Sequence, residues 1–395
     1  MRSRGTDSRG ARHNAPVRTS LLRVLAVAAV VVALASAGVA GCAGDAGSVT
    51  VLRPPPGAPP LRVGLIANAA GQGSGSGRRH ELERAQALGV HWIREQLDWD
   101  AIERSPGRYR WTRFDALMVA AARARLNVLP LLLGTPSWAG PASFGLPRDP
   151  AAFGAFAAHA AARYGPGGTF WRAHPRLDAR LAPRWFELWN EPYTTAYSTG
   201  GVDPARYAAM VRAATVDGRA ANRSTRWLMA ADLTYLDTSG QRHEWLPALA
   251  AADPGLMRLV DGVAVHPYVF GTPGADDSIP LPFRFERIDA IGRQLAQLGA
   301  ARAPLWITEI GWSTCDKRPD CGSEQEQAQR IADLFARVRS RPLSAHVRAV
   351  FVYHLHDFPG RAESDREAHY GLLRTNGSRK PAWGVLRSEA RLAGG

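Results

Sequence analysis

Lysine and cysteine are nearly missing from this chain. Lys317 and Lys380 are the sole lysines, and only Cys42, Cys315 and Cys321 occur among 395 residues. Two of the cysteines sit in the short run CDKRPDC and the third lies far upstream, which excludes a cysteine-built metal cluster. HExxH spacing is absent as well. The polar run holding His354, His356, Asp357, Asp365 and His369 has no helical ligand spacing and reads as a loop, so no metal and no cofactor is implied. Scarce lysine also changes how the net charge of +14 is read. The positive charge is carried by Arg, which like Ala and Gly is abundant throughout, and this is a bias of composition rather than a designed patch. Residues 1–41 hold six Arg against one Asp, which places +5 there and +9 elsewhere. No cluster of Arg and aromatic residues stands out, so nucleic acid is not expected as a partner. A dinucleotide or phosphate loop is not indicated either, because NAAGQGSGSG lacks the GxGxxG pattern between a strand and a helix.

What is present points to a folded globular body. Hydrophobic residues make up 46% of the chain and tryptophan occurs 12 times, which argues against disorder. The amino terminus stands apart. Six arginines precede an apolar run from Val24 to Ala40, which ends in VAGC, residues 39–42. That order is the one found in secretory signals. The small residues before Cys42 resemble a bacterial lipobox, which implies cleavage before Cys42 and lipid attachment to it. Residues 1–41 are then a lipoprotein signal and 42–60 a lipidated Pro/Gly-rich linker, with ordinary secretion or an uncleaved anchor as the other readings. All three place the domain outside the cytoplasm. In an oxidising compartment Cys315 and Cys321 are expected to form a loop disulfide.

From residue 61 to 395 short apolar runs alternate with helical stretches. The runs 61–67, 90–97, 127–134, 183–190, 225–232, 260–268, 303–311 and 347–355 read as strands. Nearly continuous apolar strands, each followed by a helix, imply a parallel sheet covered by helices. Eight such units predict an α/β fold of the (β/α)8 TIM-barrel type, as one catalytic domain over 61–395. A monomer is expected. In such a barrel the chemistry gathers at the carboxyl ends of the strands. Those ends carry Asn190 and Glu191, His266 and Tyr268, Glu309, and Tyr353, with Arg94 inside the second strand. Glu187 is read as structural or as a partner of Arg. Glu191 and Glu309 would face each other across the mouth. Two such carboxylates suit glycosidic cleavage, in which one protonates the leaving oxygen and the other attacks or stabilises the anomeric carbon.

These motifs resemble the clan A glycoside hydrolases, most closely families 5 and 39. FELWNEP is similar to their strand-four motif and WITEIGW to their strand-seven motif. HPY at 266–268, Arg94 in WIREQ and YGLLRTNGSRKPAW extend the likeness over about 60–390. The resemblance implies a retaining hydrolase with Glu309 as nucleophile and Glu191 as acid/base. It further implies that Asn190 reaches a sugar hydroxyl, Tyr268 orients Glu309, His266 positions the acid/base and Arg94 holds Glu309 ionised. Trp138, Trp189, Trp312 and Tyr353 are the candidate sugar platforms. The chain departs from the family pattern by lacking a histidine after the third strand and a tryptophan after the eighth. The alternative reading is therefore a non-hydrolytic carbohydrate-binding lipoprotein. Either way the partner is an oligo- or polysaccharide, with membrane attachment through Cys42.

Overall fold

The eight apolar runs form eight parallel strands that close on themselves. The computed structural model describes residues 60–67, 75–268, 285–315, 321–340 and 346–394. Cys42, the whole amino-terminal segment before residue 60 and the loop 269–284 lie outside the described residues. The barrel strands are β1 (Arg62–Ile66), β2 (Trp92–Asp98), β3 (Asn127–Leu133), β4 (Trp185–Leu188) and β5 (Arg226–Ala231) in the first part of the chain. After two short strands, β6 (Thr234–Leu236) and β7 (Arg242–Glu244), come β8 (Gly262–Val265), β9 (Leu305–Ile310) and β10 (Val347–Val352). Around the barrel the order is β1, β10, β9, β8, β5, β4, β3 and β2, which closes on β1. The expected (β/α)8 architecture is therefore present. The antiparallel pair β6–β7 is an addition that sequence reading missed. Three-residue strands carry too little period-two pattern to announce themselves.

Two layers of core follow from strand alternation. Inside the barrel Leu129, Leu228, Ala264, Trp306, Ala349 and Phe351 pack together, with Trp92 and Trp185 against them. A larger cluster fills the space between strands and helices. The helices start at clear signals. Asp149 caps Pro150–Tyr164 through the Ala151 N–H, and Asp203 caps Pro204–Ala221 through the Arg206 N–H. Ser323 and Glu326 form a reciprocal cap on Glu324–Arg339, which satisfies donors left open at a helix start. The first helix begins at Gly75, so the end of the run NAAGQGSGSG adds a turn to the helical stretch after β1. Burial of Arg78, Leu82, Ala85 and Leu88 holds the added turn although its Gly residues favour helix poorly.

Gly64 in β1 shows how tightly the interior is filled. A Cβ there would stand 2.6 Å from the Phe351 ring and 2.8 Å from the Trp92 carbonyl oxygen. The missing side chain is what lets Phe351 occupy the barrel. Gly64→Val is expected to destabilise the domain by about 1–3 kcal/mol through overpacking, seen as a lowered midpoint in thermal unfolding. An unchanged midpoint would show that the ring can move aside.

Candidate active site

Arg94 on β2 points into the barrel and binds three side chains through four hydrogen bonds. Its Nε and Nη2 donate to Glu187 at 2.6 and 3.1 Å, its Nη2 donates to Asn190 Oδ1 at 2.7 Å, and its Nη1 donates to Glu309 Oε2 at 2.9 Å. Arg94 thus pairs with the scaffold carboxylate Glu187 and with Glu309 at the same time. A forked guanidinium suits two parallel carboxylate bonds, and Glu187 supplies them. Glu187 is held down to about 2: burial opposes ionisation, but the Arg94 charge and a His266 contact overcome it. Glu187 is 1% exposed, whereas Glu191 and Glu309 are 21% and 18% exposed. Glu187 is therefore part of the scaffold, and the other two carboxylates are the ones a ligand can reach.

Strict alternation along the strands would not bring these groups together. On β9, Thr308 faces the interior and donates to Glu187 Oε1 at 2.8 Å, which would turn Glu309 outward. The pairing with β10 slips there, from Val350 opposite Ile307 to Val352 opposite Ile310. One extra residue on β9 forms a bulge, and a bulge re-aims the side chains beside it. Both Thr308 and Glu309 then face the site. At the end of β4 the same problem is solved by the backbone: Trp189 has φ 69° and Glu191 has φ 39°. Positive φ in bulky residues is strained and concentrates at functional sites. The turns swing Trp189 outward while Asn190 and Glu191 enter the mouth.

This geometry corrects one sequence expectation. Trp189 has no exposed surface; its ring packs on Phe153 at 6.0 Å and its indole N–H donates to the Tyr197 carbonyl at 2.7 Å. It is core, not a sugar platform. Trp138 is half-buried, donates to the Glu103 carbonyl at 2.7 Å and meets the buried Trp99 edgewise, so it braces the loop after β3. Trp312 and Tyr353 are half-buried beyond β9 and β10. Tyr353 packs against Tyr370 at 5.3 Å, and Tyr370 lies 6.3 Å from Tyr268. Tyr370 and Asp232, buried at the end of β5 in an ion pair with Arg287, are neighbours that sequence reading did not name. Asp232 follows no motif, and Tyr370 opens the run YGLLRTNGSRKPAW, which reads only as a closing segment and not for a site residue.

His266 joins the two halves of the site. Its Nδ1 lies 2.9 Å from Glu191 Oε1 and its Nε2 lies 3.0 Å from Thr308 Oγ1. Thr308 gives its own proton to Glu187, so its oxygen accepts from the Nε2–H. Burial would lower the imidazole, but Glu309, Glu187 and Glu191 around it raise it to about 9. It is an imidazolium at neutral pH. The Tyr268 hydroxyl approaches Glu309 Oε1 at 3.4 Å. Burial lifts the Glu309 carboxyl above the usual range against the pull of His266 and Arg94, and nearby Glu191 adds to the rise. Three carboxylates thus face two cations.

The polar segment after β10 serves structure. Lys380, buried, donates to Asp357 Oδ1 and Thr314 Oγ1, both at 2.8 Å, and His354 is driven down to about 3 by burial and by Lys380. Cys315 and Cys321 are joined in a disulfide.

No protein-family profile matches the chain, and no curated protein matches it by sequence. Solved structures do. A family 39 glycoside hydrolase from Bacteroides cellulosilyticus superimposes with a TM-score of 0.58 at 19% identity, over 84% of this chain and 63% of that one. What the two share is the fold, a closed (β/α)8 barrel. A GH5_18 enzyme from Streptomyces cattleya, solved with Manb1-4GlcNAc, gives a TM-score of 0.60 at 17% identity, over 84% of this chain and 80% of that one. A monomeric β-xylosidase from Caulobacter crescentus gives 0.58 at 19%, over 85% and 69%. The chain thus spans less than two thirds of the family 39 enzyme's length.

The raised imidazole has a consequence for stability. A group whose folded value lies above its ordinary 6.5 stabilises most below that value and loses its contribution as pH rises toward about 9. The unfolding midpoint should fall between these pH values in the parent, and His266→Gln should flatten that part of the profile. Parallel profiles for the two proteins would show that His266 is neutral in the fold.

Proposed function

We propose that this chain is a retaining glycoside hydrolase that cleaves β-linked oligo- or polysaccharides by double displacement. The observation that carries the reading is the hydrogen-bonded circuit Glu309–Arg94–Glu187–Thr308–His266–Glu191. It leaves two partly open carboxyls at the mouth, with different partners. Glu309, at the end of β9 in the motif WITEIGW and held by Arg94 and the Tyr268 hydroxyl, attacks the anomeric carbon. Glu191, whose Oε1 accepts from the His266 Nδ1–H, delivers a proton from its carboxyl group to the departing oxygen. Once Glu309 is esterified its charge is gone. Glu191 then takes a proton from water, which attacks the glycosyl ester. Asn190 gives its carbonyl oxygen to Arg94, which leaves its amide N–H groups for a sugar hydroxyl.

Glu309→Gln is expected to abolish turnover of activated aryl glycosides. Glu191→Ala should slow cleavage of glycosides with poor leaving groups by about 100- to 10,000-fold, with smaller losses for good leaving groups. Turnover by Glu309→Gln at the parental rate would sink the assignment. Oligosaccharide binding without turnover by the parent, across a panel of glucan, mannan, xylan and galactan fragments, would favour the non-hydrolytic reading.

The same proposal places the enzyme outside the cytoplasm, held by lipid on Cys42 after removal of residues 1–41. The motivating feature is VAGC after the apolar run. Cys42→Ser should move the protein from the detergent-rich phase to the aqueous phase on partitioning. Equal partitioning of variant and parent would refute lipidation.

A further inference from the structure

Two loops meet beside the carboxylates and present an aromatic corner to solvent. Phe144, in the loop after β3, and Tyr197, in the loop after β4, hold their rings 5.2 Å apart at 56°. Phe144 is 40% exposed, and among the described residues the other large exposed hydrophobic ones, Val216 and Leu236, are scattered singly. The corner is built rather than incidental. The Thr199 N–H donates to the Phe144 carbonyl at 3.0 Å, and the Thr135 N–H to the Ser143 carbonyl at 2.7 Å. The Ser143 hydroxyl donates to Asp100 at 2.6 Å, and the Ser198 hydroxyl to the Pro192 carbonyl at 2.7 Å. Gly145 permits the seam, because a Cβ there would stand 3.1 Å from the Thr199 carbonyl oxygen. An aromatic pair held in place by its own scaffold offers a surface on which a ligand ring can stack.

Position selects that occupant. Two hydrogen-bonded turns lead from Glu191 to Tyr197: the Thr194 N–H donates to the Glu191 carbonyl at 2.9 Å and the Tyr197 N–H to the Thr194 carbonyl at 3.3 Å. Burial and then the charges of Glu309 and Glu191 push the Tyr197 phenol up to about 12, which places its ring within electrostatic reach of both carboxylates. The Tyr197 carbonyl accepts from the Trp189 indole N–H at 2.7 Å, so the corner is tied to the strand end that carries Glu191. Whatever occupies it is covalently joined to, or adjacent to, the sugar between the carboxylates.

We propose that Phe144 and Tyr197 form a stacking site for a second sugar ring, next to the one attacked by Glu309, so that the substrate contains at least two sugars. This rests on the hydrolase reading above and adds the size of the substrate to it. The apolar C–H face of a pyranose packs on an aromatic face, and two rings at an angle receive a face and an edge. Neither aromatic residue touches the reacting atoms; both would act on affinity and positioning.

Phe144→Ala tests the site, because its ring is exposed and its backbone bond to Thr199 survives the change. The probes are glycosyl fluorides of glucose, mannose, xylose and galactose, which carry one sugar and no ring in the leaving group, and the matching β-linked tetrasaccharides. The expected result is a fall of about tenfold or more in kcat/KM for the tetrasaccharide, with the fluoride rate and the unfolding midpoint unchanged. Equal kcat/KM on both probes in variant and parent overturns the platform while leaving the hydrolase reading intact. An equal fall on both probes also overturns it, because the ring would then be acting on the catalytic centre. If the parent hydrolyses nothing, the hydrolase reading fails and calorimetric binding of the tetrasaccharides decides. Binding by the parent and its loss in Phe144→Ala upholds the platform; no binding by the parent overturns it.

Discussion

The site depends on one buried guanidinium. Arg94 holds Glu187, Asn190 and Glu309, from strands on opposite sides of the barrel, in one hydrogen-bonded plane. A charge removed from water is costly unless it is paired and fully hydrogen-bonded, and losing one partner leaves the others uncompensated. Glu187 is therefore as necessary as the more open carboxylates although no substrate reaches it. It fixes the position of Arg94, and Arg94 in turn fixes where Glu309 stands. The second cation, His266, does the same on the Glu191 side and is tied back to Glu187 through Thr308. Each open carboxyl has one cation beside it, and the scaffold carboxylate lies between those cations.

This arrangement requires the regular barrel to break in two places. A uniform strand alternates its side chains, and uniform alternation would put Thr308 or Glu309 in the mouth, not both. The bulge on β9 and the left-handed residues at the end of β4 each interrupt the period. Strain of this kind persists only where the surroundings over-determine it. Here Trp189, packed on Phe153 and bonded to the Tyr197 carbonyl, anchors one of the strained residues. The same bond fixes the loop that carries Tyr197 to Phe144, so a core tryptophan links the turn at Glu191 to the aromatic corner.

The tryptophans show where reading a sequence fails. Trp189 stands beside the catalytic motif and looked like a sugar platform, yet it is fully enclosed, while Phe144 in an unremarked loop carries the exposed ring. Adjacent residues on a strand normally face opposite ways, and one positive φ reverses which of them faces the ligand. Neither composition nor spacing carries that sign. Asp232 and Tyr370 were missed for a related reason, since each gains its place through neighbours distant in sequence.

The strand count, the parallel order and the placement of Asn190, Glu191, His266, Tyr268 and Glu309 at strand ends were legible because apolar runs of strand length and helical periodicity are local properties. The barrel then follows from burying both faces of each strand. What only the tertiary structure decided was direction: which carboxylate Arg94 neutralises, which residues the β9 bulge turns inward, and which aromatic rings meet solvent. Those outcomes depend on strand register and on backbone dihedrals set by packing across the barrel, and no single segment of the chain contains them.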